Sequence, residues 1–147
     1  MTDKIFLASD HGGVILKDKV LNHLKDRNIE VLDLGPEVGT SVDYPDYAEK
    51  LCTSVRENKG SRGILICGTG IGMSISANKI NGIRATLVWD EFTAKMSREH
   101  NDSNVLVMGE RVLNHDRALD YTDIWLETKF GGDRHQRRLD KISTLEK

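Results

Sequence analysis

The chain has 147 residues and a formal net charge of −2, enough for one ordinary domain with a full core and without the basic balance of a nucleic-acid or membrane-surface binder. No apolar run approaches the ~20 residues of a membrane-spanning helix, and the stretch after Met1-Thr2-Asp3-Lys4 is too short for a signal peptide. Cys52 and Cys67 are the only cysteines, which excludes a disulfide scaffold and leads us to expect a reduced, cytoplasmic protein with neither nucleic-acid nor membrane partners.

Short apolar runs alternate with longer amphipathic ones. Ile5 to Ala8 reads as a first strand. Helical spacing follows, with Leu16, Val20 and Leu24 on one face and Val14 and Leu21 beside them. Ile29 to Leu34 reads as the second strand, closed by Gly35-Pro36. Pro45 suits the first turn of a helix whose buried stripe is Ala48, Leu51, Cys52 and Val55. Gly63 to Cys67 is a third strand, followed by a glycine-rich turn and a helix through about Lys79. Ile83 to Trp89 is a fourth strand, Phe92 to Glu99 a helix, and Asn104 to Met108 a fifth strand. Asn114 can cap a helix carrying Leu119, Thr122, Trp125 and Leu126. The tail from Gly131 is polar and basic.

Strands alternating with helices predict a parallel sheet covered on both faces, a three-layer α/β/α sandwich of Rossmann-like or flavodoxin-like kind, in one domain over 1–147. Such sheets bind ligands beyond the carboxyl ends of their strands. In the common order 2-1-3-4-5, the first and third strands meet at the switch point, so Asp10 and His11 should face the Cys67 turn.

Cys67-Gly-Thr-Gly-Ile-Gly-Met-Ser74 is the sharpest local feature. Three alternating glycines before a helix let main-chain amides converge on an anionic oxygen, although a tight connection without ligand needs glycine too. The turn lacks the Gly-Lys-Ser/Thr ending of a Walker loop and the dinucleotide-binding spacing. Cys67 is by position either a small hydrophobe or, before a helix N-terminus, a thiol biased toward thiolate. Cys52 reads as packing. Asp10-His11 suits a metal pair, an acid/base pair or a capped turn; no spaced partners complete a metal site. His23 and His115 look like partnerless surface or helix-start histidines. Arg134 and Arg138 share a helix face, either as a phosphate fork or as a solvated basic end. His100, at a helix C-terminus, belongs at the amino edge of its own sheet. Any catalytic role for it requires a second subunit.

At these residues the sequence resembles the ribose-5-phosphate isomerase B family. The likeness rests on Ser-Asp-His-Gly-Gly at 9–13, Asp-Tyr-Pro at 43–45, the run from Ile66 to Lys79, and Gly-Ile-Arg-Ala at 82–85. It continues through Ser-Arg-Glu-His-Asn-Asp-Ser-Asn-Val at 97–105, Gly-Glu-Arg-Val at 109–112 and Arg-His-Gln-Arg-Arg at 134–138. The resemblance implies a homodimer with shared sites that can pair into a tetramer, a sugar-phosphate substrate, and neither cofactor nor metal. It also implies that Cys67 is the base. A second subgroup lacks that cysteine and has glutamate where this chain has Met73. Galactose-6-phosphate isomerases share the turn but tend to lack His100-Asn101-Asp102. Asp133 is an apparent insertion before Arg134.

By resemblance, His100 of a second subunit opens the sugar ring with Asp10 nearby, and Cys67 takes the C2 proton. Amides of Gly68, Gly70 and Gly72, with the Thr69 hydroxyl, stabilise the enediolate. His11, Arg111, Arg134 and Arg138 hold the phosphate, with residues 129–147 forming its basic tail, and Tyr44 and Asn101 hold sugar hydroxyls. Rival expectations are a six-carbon substrate such as allose 6-phosphate or galactose 6-phosphate, and a non-catalytic phosphosugar-binding module.

Overall fold

A computed structural model describes residues 4–147; the first three residues, which belong to the expected domain and to the stretch weighed against a signal peptide, lie outside the described residues. Five parallel strands form one sheet: β1 (Ile5–Ser9), β2 (Val31–Asp33), β3 (Arg62–Cys67), β4 (Ala85–Leu87) and β5 (Val105–Gly109). The helices are α1 (Val14–Asp26), α2 (Tyr44–Glu57), α3 (Ile71–Ala77), α4 (Glu91–Glu99), α5 (His115–Glu127) and α6 (Arg134–Ser143).

The expected α/β/α layering is present. On one face, Ile5, Leu7, Ile64, Ile66, Leu106 and Met108 of the sheet pack against Leu16, Val20 and Leu24 of α1, Ala94 of α4, and Ala118 and Trp125 of α5. On the other, Phe6, Ala8, Leu65, Cys67, Val105 and Val107 pack against Ala48, Leu51, Cys52 and Val55 of α2 and Met73 and Ala77 of α3. Alternation along each strand sends successive side chains to opposite layers. The two central strands β3 and β5 therefore read as unbroken apolar runs.

The strand order is 2-1-3-5-4, not 2-1-3-4-5. Burial accounts for the exchange: all five residues of β5 are buried, whereas Ala85-Thr86-Leu87 is only half-buried and suits an edge. The chain passes from β3 to the edge and returns inward. With right-handed crossovers that reversal places α3 and α4 on opposite faces. The edge strands are also shorter than their apolar runs, because they bond on one side only. The helix after the glycine turn ends at Ala77 rather than Lys79. Asn78 leaves it to bond the Ala85 main chain in both directions, at 2.9 Å each.

Two histidines expected to stand alone have partners. His23 Nε2 lies 2.8 Å from Asp123 Oδ1, beside Arg27, which bonds the same carboxylate. His115 bridges the Glu110 carbonyl (3.1 Å) and Lys19 Nζ (3.0 Å). Both pairings link segments about a hundred residues apart, which helical spacing cannot reveal.

Candidate active site

The carboxyl ends of β1 and β3 are neighbours, with Ser9 opposite Ile66, and β5 flanks β3 with Gly109 opposite Cys67. Exchange of β4 and β5 therefore leaves the expected β1/β3 crevice intact.

After β1 the chain turns sharply. The Asp10 carboxylate accepts the Gly12 N–H at 2.8 Å and caps the short turn of His11–Gly13. Gly13 allows that turn to press on β3, since a Cβ there would lie 2.6 Å from the Ile66 carbonyl oxygen. Asp10 is buried and His11 exposed, its Nδ1 3.0 Å from the Val42 carbonyl oxygen. The loop ahead of α2 is thereby tied to the crevice.

Cys67 ends β3 and is 5% exposed. The Gly70 N–H donates to its Sγ at 3.1 Å. Gly70 can aim that amide backwards because it sits at φ +82°, a conformation glycine adopts without a side-chain clash. The cradle is smaller than the glycine pattern suggests: Gly70's amide serves the sulfur, and Ile71's serves Thr69 Oγ1 at 3.2 Å. The exposed Thr69 hydroxyl is held at the mouth of the turn by that bond. Cys52, completely buried on the inner face of α2, is the inert thiol; burial pushes its pKa up to about 12.

Two side chains close over the glycines. The Arg111 guanidinium lies on Gly68, where a Cβ would be 3.4 Å from Nη1, and the Tyr44 ring lies on Gly72, where a Cβ would be 2.5 Å from Cε1. Glu110, to which the sequence assigned no part, locks this geometry. Its Oε1 accepts the Leu16 N–H at 2.7 Å at the start of α1, and its own N–H donates to the Cys67 carbonyl at 2.9 Å. A carboxylate just past a central strand, opposite a helix N-terminus, is the signal that could have found it.

One protomer does not bring every expected residue together. His100 and Asn101 follow α4 at the amino edge of the sheet, the end opposite Cys67. Arg134 and Arg138 lie with them, because the Gly131 N–H bonds the Glu99 carbonyl at 2.8 Å and pins the start of α6 there. Asp133, the apparent insertion, makes the turn into α6 at φ +50°. The Arg134/Arg138 pair therefore cannot join His11 and Arg111 within one chain. Beside the Cys67 turn is an apolar hollow of about 220 Å³, walled partly by Ile71, Leu87, Trp89 and Val112. Among the described residues, no three His, Cys, Asp or Glu side chains gather as metal ligands would, and no helix is long and apolar enough to cross a membrane.

A doubly wound α/β enzyme is thus defined, with a thiol, main-chain donors, an imidazole and a guanidinium converging at its switch point. The chain belongs to the Ribose/Galactose Isomerase family, which it matches over residues 5–142. It is 43% identical over 143 residues to ribose-5-phosphate isomerase B of Escherichia coli, covering 97% of this chain and 96% of that one. Its backbone superposes on ribose-5-phosphate isomerase B of Clostridium thermocellum with a TM-score of 0.95, at 49% identity and 97% coverage of both chains. The Mycoplasma genitalium enzyme, solved with bound ribulose-5-phosphate, gives a TM-score of 0.94 at 42% identity, covering 99% of this chain and 97% of that one.

Proposed function

We propose that this chain interconverts D-ribose 5-phosphate and D-ribulose 5-phosphate through a cis-enediolate, with Cys67 as the base. The contact between Cys67 Sγ and the Gly70 amide carries this reading. A binding module has no use for a sulfur held by a main-chain donor beside the Arg111 guanidinium. The Cys67 thiolate takes the C2 proton of the open aldehyde. The C–H electron pair forms the C1–C2 double bond and negative charge moves to O1. Thr69 passes a proton between O2 and O1, and return of the proton to C1 gives the ketose. Amide donors on such an oxyanion are typically worth ~3 kcal/mol each. His11 and Arg111 hold the phosphate at the far end, which positions the reacting carbons. Tyr44 orients sugar hydroxyls.

A second copy completes the site. It supplies His100 to open the furanose ring beside Asp10, Asn101 for a hydroxyl, and Arg134 and Arg138 of the 129–147 tail for the phosphate. Two half-sites at opposite edges of one sheet support this homodimer, as does a rim of exposed Ile71, Ile75, Trp89, Phe92 and Val112 around the Cys67 edge. Two free thiols suit a reducing, cytoplasmic setting.

The test is solvent exchange. In heavy water the enzyme should place deuterium at C1 of ribulose 5-phosphate. Cys67→Ala should cut exchange and turnover by on the order of 10²-fold while the fold persists. Exchange that survives in Cys67→Ala removes the sulfur from the base role.

A further inference from the structure

His135 is the second histidine of the amino-edge half-site, and the reaction as described gives it no part. Its ring stacks on that of His100, with centroids 4.2 Å apart and planes 18° from parallel. The two rings differ in exposure: the His100 side chain is 40% exposed, whereas His135 is 8% exposed. One imidazole is thus presented to solvent and the other forms its floor. His135 is itself wedged in place. A Cβ on Gly131 would lie 3.3 Å from His135 Cδ2, and the Gly131 N–H is fastened to the Glu99 carbonyl. Its face of α6 continues through buried Leu139, one helical turn on.

We infer that His135 is a positioning residue for ring opening: its imidazole is the platform that holds the His100 ring in the plane from which it reaches the substrate. This rests on the ring-opening role proposed above for His100. His100 hangs from the end of a helix, its main-chain N–H bonded to the Met96 carbonyl, and its Nε2 lies 4.0 Å from the Glu99 carboxylate, too far for a firm hydrogen bond. A parallel ring limits its rotation without taking up a ring nitrogen. The platform is suited to remain uncharged. Desolvation lowers the His135 pKa, with His100, Arg134 and Arg138 adding repulsion and Glu99 opposing them. A neutral floor can carry a cationic His100 during proton transfer.

Ribulose 5-phosphate separates ring opening from the later steps, since its esterified O5 leaves it open-chain. His135→Ala should lower kcat on ribose 5-phosphate by about tenfold, in keeping with the cost of a misplaced catalytic group. It should leave deuterium incorporation at C1 of ribulose 5-phosphate within about twofold of wild type. His135→Phe, which keeps a stacking ring, should recover most of the turnover lost in His135→Ala. Equal loss of turnover and exchange in His135→Ala would mark a merely structural residue and overturn the inference. So would a His135→Phe variant as impaired as His135→Ala, or an unimpaired His135→Ala. The underlying reading fails separately: then His100→Ala itself would show no selective loss on ribose 5-phosphate.

Discussion

Replacing Gly70 with alanine tests how the turn is built. Gly70 sits at φ +82°. An L-residue there costs about 1–2 kcal/mol in backbone strain. The added methyl would lie 2.5 Å from Leu87 Cδ1, 3.2 Å from the Met108 carbonyl carbon and 3.3 Å from the Gly109 nitrogen. Leu87 can swing away, but the main chain of β5 cannot, which adds about 1–2 kcal/mol of overpacking. The total of about 2–4 kcal/mol corresponds to a loss of roughly 5–15 °C in Tm for a chain of this size. Gly82 provides the control, with φ +85° and nothing within 4 Å of a built Cβ. Gly82→Ala should therefore show the backbone cost alone. Paired urea titrations of the two variants isolate the packing contribution. Because Gly70's amide also serves Cys67 Sγ, kcat of Gly70→Ala should fall beyond what its folded fraction explains. Equal destabilisation by Gly70→Ala and Gly82→Ala, or full activity in Gly70→Ala, would refute this account of the turn.

Lys17, 4% exposed in its side chain, bonds both Asp33 oxygens at 2.9 and 2.8 Å and the Pro36 carbonyl at 3.1 Å. Lys17→Ala leaves that partly exposed carboxylate only the Gly35 N–H, at 2.8 Å, and should cost about 2–3 kcal/mol in urea unfolding; a change under about 1 kcal/mol would mean that water replaces the ammonium. Arg138→Ala should raise KM for ribose 5-phosphate by about tenfold or more with a smaller change in kcat, as expected for loss of a charged phosphate contact; an unchanged KM moves the phosphate elsewhere. Mixing inactive Cys67→Ala and His100→Ala subunits should restore about a quarter of wild-type turnover after subunit exchange, since half of random dimers then hold one intact site. Mixtures that stay inactive although heterodimers form would exclude sharing.

Much of this arrangement was legible because it depends on local chemistry. Cys67 with its glycines, Asp10-His11, and the buried stripes of α1 and α2 follow from period and turn residues. The inversion of β4 and β5 was not legible from element order. It depends on which strand is wetter, and Thr86 within Ala85-Thr86-Leu87 was the clue. His100's distance from Cys67 could be read, since helices between parallel strands return to the opposite edge. That rule does not reach Arg134 and Arg138, because their placement depends on where Gly131 docks, a main-chain bond with no side-chain signature. His135 stood inside a recognised motif, yet only its spacing to Leu139 hinted that it faces inward.

Strand β3 is bonded on both sides, to β1 over Arg62–Ile66 and to β5 over Gly63–Cys67. Its amides should exchange with solvent only when the entire molecule opens. The Cys67 sulfur thus rides on the part of the chain that breathes least. His100 and the α6 arginines instead sit on outlying helices at the opposite edge of the sheet. If the site is shared as proposed, each copy then contributes its Cys67 from the most protected strand and its His100 from the periphery.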